Sequence, residues 1–329
     1  MKKYTKNLLI SSAIALSGVA AFSVFAYSLS SKLVRVAIDR EVPKSSPKSR
    51  FKISGVSQHD SEGKTISLAA QKLRRAPQKK IEIKASDGET LVGHLVECSS
   101  PKRILIAMHG WRSSWGNDFG MISDFWHKSD CTVLYAEQRG HNSSGGKYLG
   151  FGMIERYDCL KWIKWANKNI SSTLPIYLAG ISMGASTVLM TSSLDLPENV
   201  CGILADSGFT SPHDIWKHVT ENNLHLSYRL VSPFADSMCK RKINMGSRAY
   251  STKDALSQTD IPVLFIHGSH DKFVPVSMTY ENYLACSSPK ELLIVPGAGH
   301  GRSYLVDKER YEKAFLSFWK RFDKTFKNF

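Results

Sequence analysis

Metal-ligand clusters, phosphate-binding loops and paired cysteines are missing from this sequence, and each absence removes a class of function. The eleven histidines are scattered, and His109, His127 and His141 have no Cys, Asp or Glu partner at ligand spacing. There is no glycine-rich phosphate loop and no dinucleotide fingerprint, so no cofactor is expected. The six cysteines, Cys98, Cys131, Cys159, Cys201, Cys239 and Cys286, stand singly with no motif spacing. Several fall in or beside apolar runs, where a reduced buried thiol is the ordinary case; the even count permits disulfides without demanding them.

Acidic residues are also in short supply: 29 against 44 Lys and Arg, a formal charge of +15. The first 52 residues hold ten basic and two acidic side chains, which leaves +7 for the other 277. That local excess lies in a Ser/Pro-containing stretch with few aromatics, which argues against nucleic acid as a partner. A basic stretch beside a membrane is instead attracted to anionic lipid or wall polymer, at roughly 1 kcal/mol per Lys or Arg.

What is present at the N-terminus is a long uncharged run. After Lys2, Lys3 and Lys6, residues 7–31 carry no charge. As a helix they would span about 37 Å, more than the roughly 30 Å of a bilayer core. Residues 1–31 are therefore expected to be a transmembrane anchor, making this a membrane protein. A cleaved signal peptide, with Ala26 or Ser28 before the cut, is the alternative; the length of the run and the lack of a clean A-x-A favour the anchor. Basic residues after the span would keep the following domain in the cytoplasm, whereas a signal-like N-terminus exports it, and the outside placement is preferred. Residues 32–79 read as a basic linker, flexible over 40–60, with a short amphipathic helix at 67–79. With 42% hydrophobic residues, the remainder can bury one large core.

Strand-length apolar runs recur at 81–84, 91–96, 103–108, 132–136, 176–179, 201–205, 263–267 and 292–295, with helix-like stretches between them. From Arg103 onward they are continuous rather than alternating, as in strands buried on both faces of a parallel sheet. The first two, joined through Ala85-Ser86-Asp87-Gly88, read as an antiparallel edge hairpin. Residues 158–168 have helical spacing, with Trp162 and Trp165 expected in the core. The class is α/β, an eight-stranded, mostly parallel sheet flanked by helices.

The segment Gly180-Ile181-Ser182-Met183-Gly184 follows one such strand and precedes a helix-like stretch. This is the strand–turn–helix context of a G-x-S-x-G nucleophile elbow, in which a strained turn lifts the serine hydroxyl clear of the sheet. Asp271 follows the strand ending at Gly268, within Gly-x-x-Asp-x-x-Val-Pro, and His300 sits in the glycine-rich loop after the last strand. Serine needs an imidazole to take its proton and a carboxylate to orient that imidazole, and Ser182, Asp271 and His300 supply these groups as a catalytic triad. Asp206, which also follows a strand, is the alternative acid, with a cap or loop hydrogen bond as its ordinary role. The pair His109-Gly110 ends an early strand and points to the backbone N–H groups of Trp111 and Met183 as the oxyanion hole. His109 itself reads as a packed support for that loop.

With these motifs the chain resembles the α/β-hydrolase superfamily, and more narrowly bacterial serine hydrolases of the YqkD kind, over about residues 80 to 325. Glu137-Gln138-Arg139-Gly140-His141, the run from Gly146 to Gly152, Glu155-Arg156-Tyr157-Asp158 and the run from Ala205 to Pro212 belong to the likeness. It implies a catalytic domain at 80–329 with a small helical cap near 210–258 over the serine. Trp111, Phe209, Trp216 and Tyr304 are expected around the pocket. The modest cap suggests a partly open pocket suited to small or medium esters. The implied activity is a serine hydrolase (esterase) that cleaves small-molecule carboxylic esters through an acyl-enzyme. A peptidase, a thioesterase or acyltransferase on the same triad, or a non-catalytic membrane-anchored scaffold, are the alternatives. Prolyl-oligopeptidase-like enzymes carry a further large N-terminal domain, for which this chain is short. Fold alone does not choose among these.

Overall fold

The computed structural model describes residues 2–41 and 61–323. Eight strands make one sheet: β1 (Lys79–Lys84), β2 (Thr90–Val96), β3 (Arg103–Met108), β4 (Cys131–Glu137), β5 (Ile176–Ile181), β6 (Val200–Asp206), β7 (Val263–Gly268) and β8 (Lys290–Val295). Their order across the sheet is β1-β2-β4-β3-β5-β6-β7-β8. The β1–β2 and β2–β4 pairs are antiparallel and the other five are parallel. The eight apolar runs fall on these eight strands, and the edge hairpin lies at β1–β2.

The helices are α1 (Lys2–Ile38), α2 (Ser61–Arg75), α3 (Trp115–Lys128), α4 (Glu155–Asn169), α5 (Met183–Thr191), α6 (Pro212–His218), α7 (Tyr228–Ile243), α8 (Thr252–Leu256), α9 (Val276–Ala285), α10 (Ser303–Val306) and α11 (Lys308–Phe322). Successive residues of a strand point to opposite faces, so β3 feeds two cores. Leu105 and Ala107 pack with Phe119 and Trp126 of α3 and with Phe315 and Trp319 of α11. Ile104, Ile106 and Met108 pack with Trp162 and Ile163 of α4 and with Val188 and Leu189 of α5. Covered on both faces, the parallel strands must be apolar throughout, and all six residues of β3 and all seven of β4 are buried.

Between β6 and β7 the chain leaves the sheet to build the cap from α6, a π-helical turn at Val219–Asn223, α7 and α8. Ser211 starts α6 by accepting from the Asp214 N–H, with Pro212 pre-set at the first turn. Ser251 and Asp254 form a reciprocal capping box at α8.

Two expectations near the N-terminus need correction. The first helix does not give way to a linker at residue 32. It continues to Ile38, and Val34 and Ile38 pack against Val231, Ala235, Met238 and Cys239 of the cap. Lys32 and Arg35, which gave this stretch its linker character, lie on the exposed outer side of the helix. Ser30 is buried and lies 3.1 Å from the Val231 carbonyl, and Lys242 of α7 pairs with Asp39 at 2.7 Å. The second correction is α2, which runs over Ser61–Arg75 rather than 67–79. Pro77 disfavours helical geometry at Ala76, so the helix stops at Arg75 and the chain enters β1 at Lys79. The basic residues Lys44, Lys48, Arg50 and Lys52, with most of the expected flexible stretch, lie outside the described residues.

Among the described residues one helical stretch, Ala20–Ile38, is long and apolar enough to cross a membrane, with mean hydropathy 1.3. A signal sequence meets the same criterion.

Candidate active site

The loops that carry Ser182, Asp271 and His300 all leave the C-terminal edge of the parallel strands, where α/β sheets generally place their sites. Ser182 sits between β5 and α5 with φ 56° and ψ −119°, a sparsely populated conformation for a residue with a side chain. It is held there by its own N–H, which donates to the Asp206 carbonyl at 2.8 Å, and by the glycines that flank it. A Cβ on Gly180 would lie 2.3 Å from the Gly184 carbonyl oxygen, and one on Gly184 only 1.8 Å from that of Met108. The turn can close only with glycine at both positions.

The Ser182 Oγ lies 2.9 Å from His300 Nε2, and His300 Nδ1 lies 2.6 Å from Asp271 Oδ2. The Asp271 side chain is fully buried. Its Oδ1 accepts from the N–H groups of Phe273 (2.8 Å) and Val274 (2.9 Å), while Oδ2 also faces His267 Nε2 at 3.0 Å. Burial by itself would raise the Asp271 carboxyl pKa. The charge of His300 and the hydrogen bonds from His267 and His300 outweigh burial and hold it well below the ordinary carboxylate range. Asp271 is therefore an ionised acceptor pointed at His300. The Phe273 ring meets the imidazole of His300 edge-on at 5.0 Å.

Asp206 does not face His300 Nδ1. Its carboxyl is buried and accepts from the hydroxyls of Ser207 (2.9 Å), Tyr311 (3.1 Å) and Ser303 (3.4 Å), a packing role.

The loop after β3 lies directly against the serine: a Cβ on Gly110 would come within 3.2 Å of Ser182 Cβ. Asp118 fixes this loop by accepting from the Gly110 N–H at 2.6 Å and the Ser113 hydroxyl at 2.5 Å. His109 is fully buried, and Gln138 N–H donates to its Nε2 at 3.1 Å. The Met183 amide is the first of α5, and such an amide has no acceptor within its own helix. Among the described residues the Trp111 N–H also has no backbone acceptor. Trp111 and Ser182 line one pocket, and Met183 directly follows the serine at the start of α5.

Beside Ser182 opens a pocket enclosing about 770 Å³ of unfilled space, its open mouth included. Trp111, Phe209 and Trp216 line it, and Phe151, Ile215, Tyr228, Val231 and Phe273 add further apolar surface. Tyr304 does not. It stands on α10 and packs toward the α3/α11 core, with its hydroxyl donating to Glu312 at 2.7 Å. The remaining wall is unexpected: Leu33, Val34, Val36 and Ala37 of α1 line the same pocket. Their charged neighbours in sequence hid them. His267 and Asp118 were also missed, since nothing local in the sequence distinguishes a strand-end histidine or a first-turn aspartate from its peers.

An eight-stranded, mostly parallel sheet with a strained serine between strand and helix defines an α/β serine hydrolase. The chain belongs to the prolyl oligopeptidase family, which it matches over residues 117–325. It is 30% identical over 190 residues to the uncharacterized protein YqkD of Bacillus subtilis, an alignment covering 56% of this chain and 61% of that protein. Among solved structures it is similar to the esterase Pf2001 of Pyrococcus furiosus, with TM-score 0.63 and 24% identity over 82% of this chain and 96% of that one. It is also similar to the α/β hydrolase GrgF from a Penicillium species, with TM-score 0.60 and 18% identity over 75% of this chain and 99% of that one.

Proposed function

We propose that this protein hydrolyses carboxylic esters through an acyl-enzyme on Ser182. The observation that carries the reading is the unbroken hydrogen-bonded chain from Ser182 through His300 to the buried Asp271, set beside an apolar pocket. In the reaction Ser182 Oγ attacks the ester carbonyl while its proton passes to His300 Nε2. Asp271 orients the imidazole and stabilises it when it is charged. The Trp111 and Met183 N–H groups receive the developing oxyanion, a contribution of about 3–4 kcal/mol per donor in well-studied hydrolases. Collapse of the tetrahedral intermediate breaks the ester C–O bond, and His300 gives its proton to the leaving alcohol. Water then attacks the acyl-serine by the same route, releasing the acid and restoring Ser182.

Family membership favours a second reading, a peptidase, because the same groups cleave amides. The apolar pocket offers no charged side chain to read a peptide, which favours the ester. The N-terminal helix anchors the enzyme in a membrane, with the hydrolase domain on the outer side.

The test is labelling with a membrane-impermeant fluorophosphonate probe on intact cells, beside ester and anilide turnover by the purified full chain. Wild type is expected to label and to prefer esters. Ser182→Ala is expected to lose both labelling and about a millionfold in kcat. Folded wild-type protein that neither labels nor cleaves any ester would remove the hydrolase reading. Faster cleavage of anilides would move it to a peptidase, and labelling only after lysis would reverse the orientation.

A further inference from the structure

The N-terminal helix does two jobs in one continuous rod. Phe22, Val24, Phe25 and Tyr27 are large apolar side chains exposed on the protein surface. From Ala26 onward the same helix also turns apolar side chains inward: Ala26 is buried, Val34 and Ile38 are buried against the cap, and Leu33 and Ala37 line the pocket beside Ser182. Residues 7–28 alone would span about 33 Å, enough for the bilayer core without drawing on the pocket segment. Leu33 then lies only about 7.5 Å along the helix axis beyond Ser28.

The end of this helix is fastened to the loop that flanks the serine. Arg112 donates to the Val36 carbonyl from Nε (3.1 Å) and Nη2 (2.6 Å), to the Asp39 carbonyl (2.5 Å) and to the Arg40 carbonyl (3.1 Å). Trp111 Nε1 donates to the Ala37 carbonyl at 2.8 Å. A guanidinium on the free carbonyls of a helix C-terminus satisfies them and complements the helix dipole. The residues carrying these bonds directly follow Gly110, so the pocket wall and the oxyanion loop are set in one piece.

We propose that residues 33–37 of α1 are the acyl-binding wall of this enzyme, and that the group bound there is an unbranched aliphatic acyl chain in the octanoyl-to-dodecanoyl range. The proposal rests on the serine-hydrolase reading and names its substrate. A flexible aliphatic chain suits a cavity whose lining is aliphatic and aromatic carbon. The exposed apolar stretch that continues from the wall toward the N-terminus gives such a chain an apolar track to the pocket from lipid. The carbonyl then comes to rest at Ser182, with the alcohol side turned away from α1.

The experiment uses the full chain in detergent micelles and p-nitrophenyl esters from acetyl to dodecanoyl, with fluorophosphonate labelling of Ser182 run in parallel. Wild-type kcat/KM is expected to rise with acyl length into the octanoyl-to-dodecanoyl range. Ala37→Phe and Leu33→Trp fill the wall, and each should lower the decanoyl-to-acetyl ratio of kcat/KM about tenfold or more, since each methylene excluded costs about fourfold. Lys32→Ala, on the outward side of the same turns, should leave the ratio at the wild-type value. If one filled variant fails to fold, the other carries the comparison, and Leu33→Ala, which enlarges the wall, should shift the optimum to longer chains. An unchanged ratio in folded, probe-reactive wall variants would overturn the proposal and leave the hydrolase reading standing. Loss of labelling and of all ester turnover in wild type would instead overturn both.

Discussion

His267 Nε2 lies 3.0 Å from Oδ2 of Asp271, the same oxygen that stands 2.6 Å from His300 Nδ1. The second imidazole is itself fixed, because Nε2 also meets the Val274 carbonyl at 2.9 Å and Nδ1 meets the Thr279 hydroxyl at 2.6 Å. With two acceptors at Nε2, the proton belongs there, and Nδ1 is the acceptor for Thr279. Asp271 is thus positioned by a histidine that does not touch the serine.

His267 is therefore a positioning residue. His267→Phe is expected to lower kcat about 10- to 100-fold, the value of one hydrogen bond to a charged group, and His267→Gln should restore part of it through its amide N–H. A stability readout separates this from simple loss of packing. Asp271 titrates below its ordinary 3.8 in the native protein, so its ionised form contributes stability that is complete above about pH 4 and lost as pH falls. The Tm gap between wild type and His267→Phe should narrow below about pH 4. A gap constant with pH would mean that His267 only fills space.

Much of this arrangement was legible in the sequence, and the exceptions share a cause. The strands announced themselves because a sheet covered on both faces must be apolar throughout, and the elbow because only glycine fits on either side of Ser182. Asp271 and His300 were legible from their place after successive strands. His267 was not, since its partner Asp271 makes it special only once the loop has folded back. Residues 32–38 were misread because Lys32 and Arg35 face outward while Val34 and Ile38 pack inward, and charge dominated the local pattern. Tyr304 was expected in the pocket. The short helix α10 turns it toward Glu312 instead.

Two buried imidazoles tie neighbouring loops together through their ring nitrogens. His141 Nε2 accepts from the Arg112 N–H at 2.9 Å while Nδ1 faces the Arg139 carbonyl at 2.9 Å. His109 Nε2 accepts from the Gln138 N–H at 3.1 Å and Nδ1 faces the Gly110 carbonyl at 2.8 Å. Both rings are therefore neutral, with the proton on Nδ1. Burial, helped by the charges of Arg112 and Arg40, pushes His141 down to about 3, and burial lowers His109 as well. The unfolded chain takes up these protons below about pH 6.5 and the native chain does not, so stability is complete above about pH 6.5 and falls as pH drops toward 3. Calorimetry should show Tm falling from pH 7 to pH 5. His141→Gln should lower Tm at pH 7 and flatten that slope; an unchanged slope would mean another group takes up the proton.

Two glycines beside the site should respond in opposite ways to alanine. At Gly184 the new methyl would fall 1.8 Å from the Met108 carbonyl oxygen and 2.8 Å from that of His109, both backbone atoms of the strand and loop beside Ser182. Neither can move without displacing the loop after β3 that lies against Ser182, so Gly184→Ala is expected to cost about 3 kcal/mol or more and to abolish probe labelling. Gly299 is next to His300 in sequence, yet a Cβ there meets nothing within 4 Å. Gly299→Ala should therefore stay within about 0.5 kcal/mol of wild type and keep its labelling, as surface substitutions ordinarily do. Thermal melts with probe labelling of both variants check the pair. Loss of labelling in a fully stable Gly299→Ala would show that the His300 loop must move during turnover, because the resting geometry leaves room for the methyl.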